Sequence, residues 1–209
     1  FEHDRALCEE HGVDVIFAPE PGAMYAPDAS TWVEETVLSK PLCGASRPIH
    51  FRGVATVVAK LFNLAQPDLA VFGQKDAQQL LVIRRMVRDL NFPIEIIAAP
   101  LVRDADGLAL SSRNRYLSAE ERQQALVLNR TLRPAKLAIE RAGIGAIADV
   151  LEAVRSTITG AGGRVDYVEA LDTASLSAPT AETREILLAM AVYFGTTRLI
   201  DNILIEVKK

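Results

Sequence analysis

Apolar positions in the first hundred residues fall into two kinds of run. Short stretches rich in β-branched side chains occur at 13–18 (VDVIFA), 68–73 (DLAVFG) and 94–99 (IEIIAA). Each is apolar at successive positions and bounded by proline or glycine, the pattern of a strand buried on both faces. TWVEETV at 31–37 is a weaker strand candidate. Between these runs, residues 49–65 place Phe51, Val54, Val58, Leu61 and Phe62 at helical spacing. A second helix is predicted at about 76–90, with Leu80, Ile83, Val87 and Leu90 on one side and Arg84, Arg85 and Arg88 mostly on the other. Strands alternating with helices predict a parallel sheet covered on both faces, with ligands beyond the carboxyl ends of its strands. The loops after Phe72 and after Ala98 are therefore the informative ones.

From residue 103 the pattern changes. DADGLALSSRNRYLS is polar and turn-rich, and Ser118 with Glu121 forms the signature of a capping box. The helix it opens is predicted to run to about 142, kinked or broken at Pro134. Another covers about 144–160, followed by strand-like RVDYVEAL, EILLAMAVYF and NILIEV. Helices followed by strands without alternation predict a small α+β domain. The expected division is 1–101 for an α/β domain and 102–209 for the α+β domain.

Composition narrows the classes. A net charge of −4 argues against a nucleic-acid or anionic-membrane binder. No apolar run approaches the roughly 18 residues that span a bilayer. Cys8 and Cys43 form no CxxC pair, and His3, His11 and His50 are not grouped like metal ligands. The opening FEHDRALCEEHGVD lacks the layout of a signal peptide and starts inside a helix without an initiator Met, so the chain is expected to be a fragment.

Three segments carry candidate chemistry. In FGQKDAQQL, residues 72–80, Gly73 admits a ligand close to the backbone and Lys75 offers a point charge to a phosphate. In the same segment Asp76 suits ribose hydroxyls and Gln79 a polar substrate, at a helix N-terminus that favours an anion. The competing reading is structural: Asp76 and Gln79 also fit a D-x-x-Q capping box. LSSRN, residues 110–114, sets two hydroxyls beside a guanidinium, a combination suited to polyphosphate, or to a serine-rich surface turn. GASRPIHFRGV, residues 44–54, supplies Arg47 and Arg52 for anions and a titratable His50.

These three segments and the tail RLIDN, in this order, closely resemble the pantothenate synthetase (pantoate–β-alanine ligase) family over essentially the whole chain. The resemblance implies a Rossmann-like nucleotidylyltransferase parallel sheet, incomplete here, with a smaller C-terminal α+β lid domain. It implies a cytoplasmic homodimer that uses ATP and Mg²⁺ to join pantoate to β-alanine through pantoyl adenylate. Gly73, Gln74, Lys75 and Asp76 then correspond to the ATP-binding GxKD segment, and Val102 to a residue against adenine. Leu110, Ser111, Ser112 and Arg113 match the phosphate-binding segment, Gln79 the pantoate-holding glutamine, and Arg47 an arginine near the site. Lys75 and Arg113 are the expected catalytic cations, and the segment around 103–115 is expected to be mobile for want of apolar contacts. The family's His-x-Gly-His motif is not found in the sequence, so activity of this chain alone is in question. The alternatives are a nucleotide-binding or dimer-forming module, or another nucleotidylyltransferase.

Overall fold

A computed structural model of the chain describes residues 1–207. It divides into two units, Phe1–Trp32 and the chain from Val33 onward. The first unit holds α1 (Glu2–Glu10) and the short α2 (Pro21–Met24). α1 buries none of its residues and rests on local electrostatics. Glu2 and Asp4 sit at its positive end, and Arg5 reaches Glu2 at 2.6 Å. Residues 13–18 form no strand, contrary to the pattern, and Val15 and Phe17 are exposed. β-branched composition favours a strand, but a strand exists only through ladder partners, and this segment has none among the described residues.

Residues 31–37 form no strand either. In the second unit the backbone from Val33 to Ser39 is held by side chains instead. The Val33 N–H donates to Thr56 Oγ1 at 2.9 Å, and the Glu35 carboxylate accepts from the N–H groups of Val37 and Ser39.

The second unit opens on the short α3 (Cys43–Ser46) and on α4 (His50–Ala65), followed by β1 (Leu69–Gly73). One tight turn, Gln74–Asp76, leads into α5 (Ala77–Asp89), and β2 (Glu95–Ala99) follows. β1 and β2 pair in parallel, in register from Leu69 opposite Glu95 to Gly73 opposite Ala99. Ala70, Phe72 and Ile96 pack on the apolar faces of α4 and α5, around Phe62, Ile83 and Met86. The Phe62 ring meets Phe72 and Phe92 edge-on, with centroids 6.3 and 5.8 Å away. Leu69 and Val71 on the opposite face are exposed, so among the described residues this pair is covered on one face and not on both.

The rest is helix, then antiparallel sheet. α6 (Ala119–Ala125) begins at the predicted capping box: Ser118 Oγ accepts from the Glu121 N–H, and the Glu121 carboxylate accepts from the Ser118 N–H. α7 (Val127–Ala142) and α8 (Ile147–Gly160) follow. Of the kink or break predicted at Pro134, a break does not occur; the helices divide at Leu126, and Pro134 lies inside α7. A mid-helix proline costs about 3 kcal/mol. Leu128, Leu132 and Ile139 flank it and are buried at about 1.5–3 kcal/mol each, which outweighs that cost.

β3 (Arg164–Asp172), β4 (Glu185–Phe194) and β5 (Thr197–Glu206) form the second sheet in that order. β4 is the hinge of the architecture because both of its faces are covered. Ile186, Leu188, Met190 and Val192 join Leu132, Ile139 and Ile158 of α7 and α8. Leu187 and Ala189 turn the other way, to Leu42, Phe51, Ala77 and Val82. Among the described residues, no helix is long and apolar enough to cross a membrane.

Candidate active site

The turn at Gln74–Asp76 lies at the carboxyl end of β1, where a parallel strand hands over to a helix. Asp76 occupies the N-cap of α5, yet its side chain makes no capping hydrogen bond, so the capping reading of this pair fails. At Gly73 a Cβ would meet nothing within 4 Å, and the φ of −73° suits any residue. Nothing inside the chain therefore requires glycine there.

Of the two adjacent glutamines, Gln78 turns inward and is 7 % exposed. Its amide donates to the carbonyls of Leu38 at 2.9 Å and Pro41 at 2.6 Å, and its Oε1 accepts from the Cys43 N–H at 3.0 Å. These bonds hold Leu42 at φ 53°, a conformation that costs a non-glycine residue on the order of 1–3 kcal/mol. Gly44 beside it has no alternative, since a Cβ there would stand 1.6 Å from the Ser39 carbonyl oxygen. Gln78→Leu is expected to lower unfolding stability by about 3 kcal/mol, because each stranded buried group costs about 1–3 kcal/mol. A denaturant titration showing a loss below about 1 kcal/mol would contradict that.

Gln79, like Gln78, borders a cavity of about 180 Å³, but its amide is spent on no group among the described residues. Arg47, His50, Lys75, Asp76, Arg113 and Arg198 share this cavity, which the α4 and α5 N-termini and strand β5 enclose. Arg198 is paired with Asp166 at 2.8 Å. The side chains of Arg47, Lys75, Gln79 and Arg113 make no ion pair or hydrogen bond among the described residues. A cluster of unneutralised cations around a partly enclosed space makes a field that attracts anions. Tyr167 lines the same cavity, and burial pushes its phenol up to about 12, so it stays a neutral hydroxyl.

His50 reports that field. Its pKa lies below the ordinary 6.5, first through burial and then through Arg47, with Arg113 and Arg198 adding and Asp76 opposing. The folded protein thus takes up this proton less readily than the unfolded chain. Stability contributed by neutral His50 is present above pH 6.5 and is lost as the pH falls from 6.5 through the lower folded-state value. Melting curves of His50→Gln are expected to fall less steeply than wild type below pH 6.5. Identical slopes would contradict the lowered pKa of the imidazole.

The polar stretch after β2 is a closed hairpin. Arg103 bridges Ala109, and the Leu110 N–H donates to the Val102 carbonyl at 2.9 Å. The expectation of few apolar contacts does not hold, because Leu108 and Ala109 are buried. Arg122 of α6 adds ion pairs to Asp104 and Asp106 at 2.9 and 2.8 Å. Val102 and Leu110 remain exposed at the hairpin mouth. Ser111 caps the following turn, accepting from the Arg113 N–H at 3.2 Å, so part of the surface-turn reading is realised as well. Ser111, Arg113 and Lys75 border a second small crevice that adjoins the first.

A model of the pantoate–β-alanine ligase family matches residues 1–204. Pantothenate synthetase of Moorella thermoacetica is 54 % identical over 207 residues, which span 99 % of this chain and 73 % of that protein. The same-named protein of Clostridium novyi is 50 % identical over 98 % of this chain and 72 % of its own length. The chain belongs to the pantoate–β-alanine ligase family. Among solved structures, pantothenate synthetase of Thermus thermophilus superposes with a TM-score of 0.89 at 46 % identity, over 97 % of this chain and 73 % of that one. The ligase from Francisella tularensis, complexed with β,γ-ATP and β-alanine, gives 0.72 at 29 % identity, over 97 % and 69 %. The expected α/β class, with a parallel pair and a separate antiparallel sheet, holds.

For this ligase-family chain, Lys75, Asp76, Gln79, Ser111 and Arg113, with Arg47, converge on two adjoining cavities. Ser112, Val102 and Leu110 are exposed and line neither, and Gly73 and Gln74 line neither as well. Sequence reasoning missed Arg198, Tyr167 and Gln78. For Gln78 a signal existed: it lies one helical turn before the fully buried Val82, on the apolar face of α5.

Proposed function

We propose that this ligase activates pantoate with ATP and transfers the acyl group to β-alanine, forming pantothenate. A carboxylate oxygen of pantoate attacks the α-phosphorus of ATP as the bond to pyrophosphate breaks, giving pantoyl adenylate. The amine of β-alanine then attacks the acyl carbon, loses a proton, and AMP departs as the amide forms. Charge builds on the α-phosphate and on the leaving pyrophosphate, so cations and donors matter more than a nucleophilic side chain. The supporting observation is the set of unpaired groups in one cavity: Lys75 and Arg113 for phosphates, Gln79 for pantoate, and Arg47 for a carboxylate.

In this reading Gly73 and Gln74 let the nucleotide approach the backbone, and Asp76 takes ribose hydroxyls. Ser111 and Ser112 donate to phosphate oxygens, while Val102 and Leu110 give adenine an apolar surface. Residues 1–101 serve as the nucleotide-binding domain and 102–209 as the lid. The active form is a cytoplasmic homodimer. Among the described residues no group of three acidic, histidine or cysteine side chains is placed to hold a metal, so they do not fit a protein-built Mg²⁺ cage. Mg²⁺ belongs instead to the triphosphate, as this ion commonly does, and no step here is routed through it.

The test is pyrophosphate–ATP exchange with a panel of small hydroxy acids. Exchange is expected with pantoate alone. Exchange driven equally by another acid would point to a different nucleotidylyltransferase, and ATP binding without any exchange to a binding module.

A further inference from the structure

The tail segment RLIDN, residues 198–202 of β5, ends in two buried polar residues that the chemistry above leaves unused. Asp201 is 2 % exposed and Asn202 6 %. Burying such groups is costly unless their hydrogen bonds are made, and here the bonds lead to two different loops. The Asn202 Nδ2 donates to the carbonyls of Gln74 at 3.1 Å and Lys75 at 3.0 Å, and its Oδ1 accepts from Gln74 Nε2 at 3.3 Å. Those carbonyls belong to the turn that carries the Lys75 side chain into the cavity. The Asp201 carboxylate grips Arg103 with both oxygens, at 2.7 and 2.9 Å, and Arg103 also donates to the Gly107 carbonyl at 3.1 Å. Asn114 completes the link, donating back to the Ala109 carbonyl at 3.0 Å just after Arg113.

Both loops thus hang from neighbouring residues of one strand. That strand is paired with β4 along its whole length, from Thr197 to Glu206. We propose that Asp201 and Asn202 are positioning residues that fix the separation between the Lys75 turn and the Ser111–Arg113 segment, so that both cations meet one polyphosphate together. This rests on reading the cavity as the ATP site. Their polar atoms are engaged by protein groups, so they act through Lys75 and Arg113. A misplacement near 1 Å at a reacting centre is enough to lower a rate about 10²-fold.

The test compares Asn202→Ala, Arg103→Lys and the double variant in pantoate-dependent pyrophosphate exchange, scaled to the folded fraction from far-UV circular dichroism. Arg103→Lys keeps a charge opposite Asp201 but cannot reproduce the fork that also reaches Gly107. Each single change is expected to lower kcat/KM for ATP by about 10- to 100-fold. The double variant is expected to lose little more than the worse single one, because releasing either loop already frees the separation. Unchanged kcat/KM per folded molecule, or losses that multiply as independent sites do, would overturn the proposal. If Asn202→Ala does not fold, Asn202→Ser replaces it: its hydroxyl can serve one carbonyl, so an intermediate loss is expected and a wild-type value overturns the proposal. Wild-type protein without pantoate-dependent exchange would instead count against the proposed function.

Discussion

Lys75→Ala is expected to slow pantoyl adenylate formation by something on the order of 10²–10³-fold, the scale of losing one preorganised electrostatic contact. Lys75 is half-buried on the turn at the end of β1, lines both cavities, and has no ion-pair partner among the described residues. Its ammonium is therefore uncommitted in the unliganded protein and costs little reorganisation when phosphate charge develops. Because it packs in no apolar cluster, the melting temperature should hardly move. Pantoate affinity should change less than the rate, since a cation that acts on the transition state does little for ground-state binding. Single-turnover measurement of pyrophosphate release decides this: a normal rate in Lys75→Ala would remove the lysine from the chemistry.

Arg113→Ala is expected to cost about 10²-fold in the same step, with Arg113→Lys recovering only part of it. The guanidinium presents a rigid fork that meets two phosphate oxygens at once, whereas an ammonium is a single point of charge. Arg113 is exposed, and its backbone N–H donates to the capping Ser111 Oγ at 3.2 Å. Full recovery in Arg113→Lys would mean that charge alone suffices and that the two-pronged grip is wrong.

The parts of this protein that the sequence made legible are those governed by local periodicity and local hydrogen bonds. The apolar spacing at Phe51, Val58 and Phe62 gave α4, and the Ser118–Glu121 pair gave the start of α6. Tertiary context decided the rest. Residues 13–18 read as a strand from their composition, but pairing is a property of two segments and composition belongs to one. Pro134 read as a kink or a break, and the break fails because propensity was weighed without the burial of Leu132 and Ile139 around it. At the site, Lys75 and Arg113 stood out because charged residues beside glycines and serines are locally conspicuous. Arg198 did not, since it reaches the same cavity from β5, more than a hundred residues along the chain from Lys75. The adjacent Gln78 and Gln79 look interchangeable in a linear reading, yet about 100° of helical rotation separates them: both border the cavity, but Gln78 is buried with its amide spent on Leu38, Pro41 and Cys43.

The central claim is that a pantoate oxygen attacks the α-phosphorus of ATP in this cavity. It is tested most directly by carboxyl-¹⁸O pantoate, with mass spectrometry of the nucleotide formed after β-alanine is added. The account predicts AMP carrying one ¹⁸O, and no label in pyrophosphate. Unlabelled AMP, or ADP with labelled phosphate, would place the attack elsewhere and contradict it.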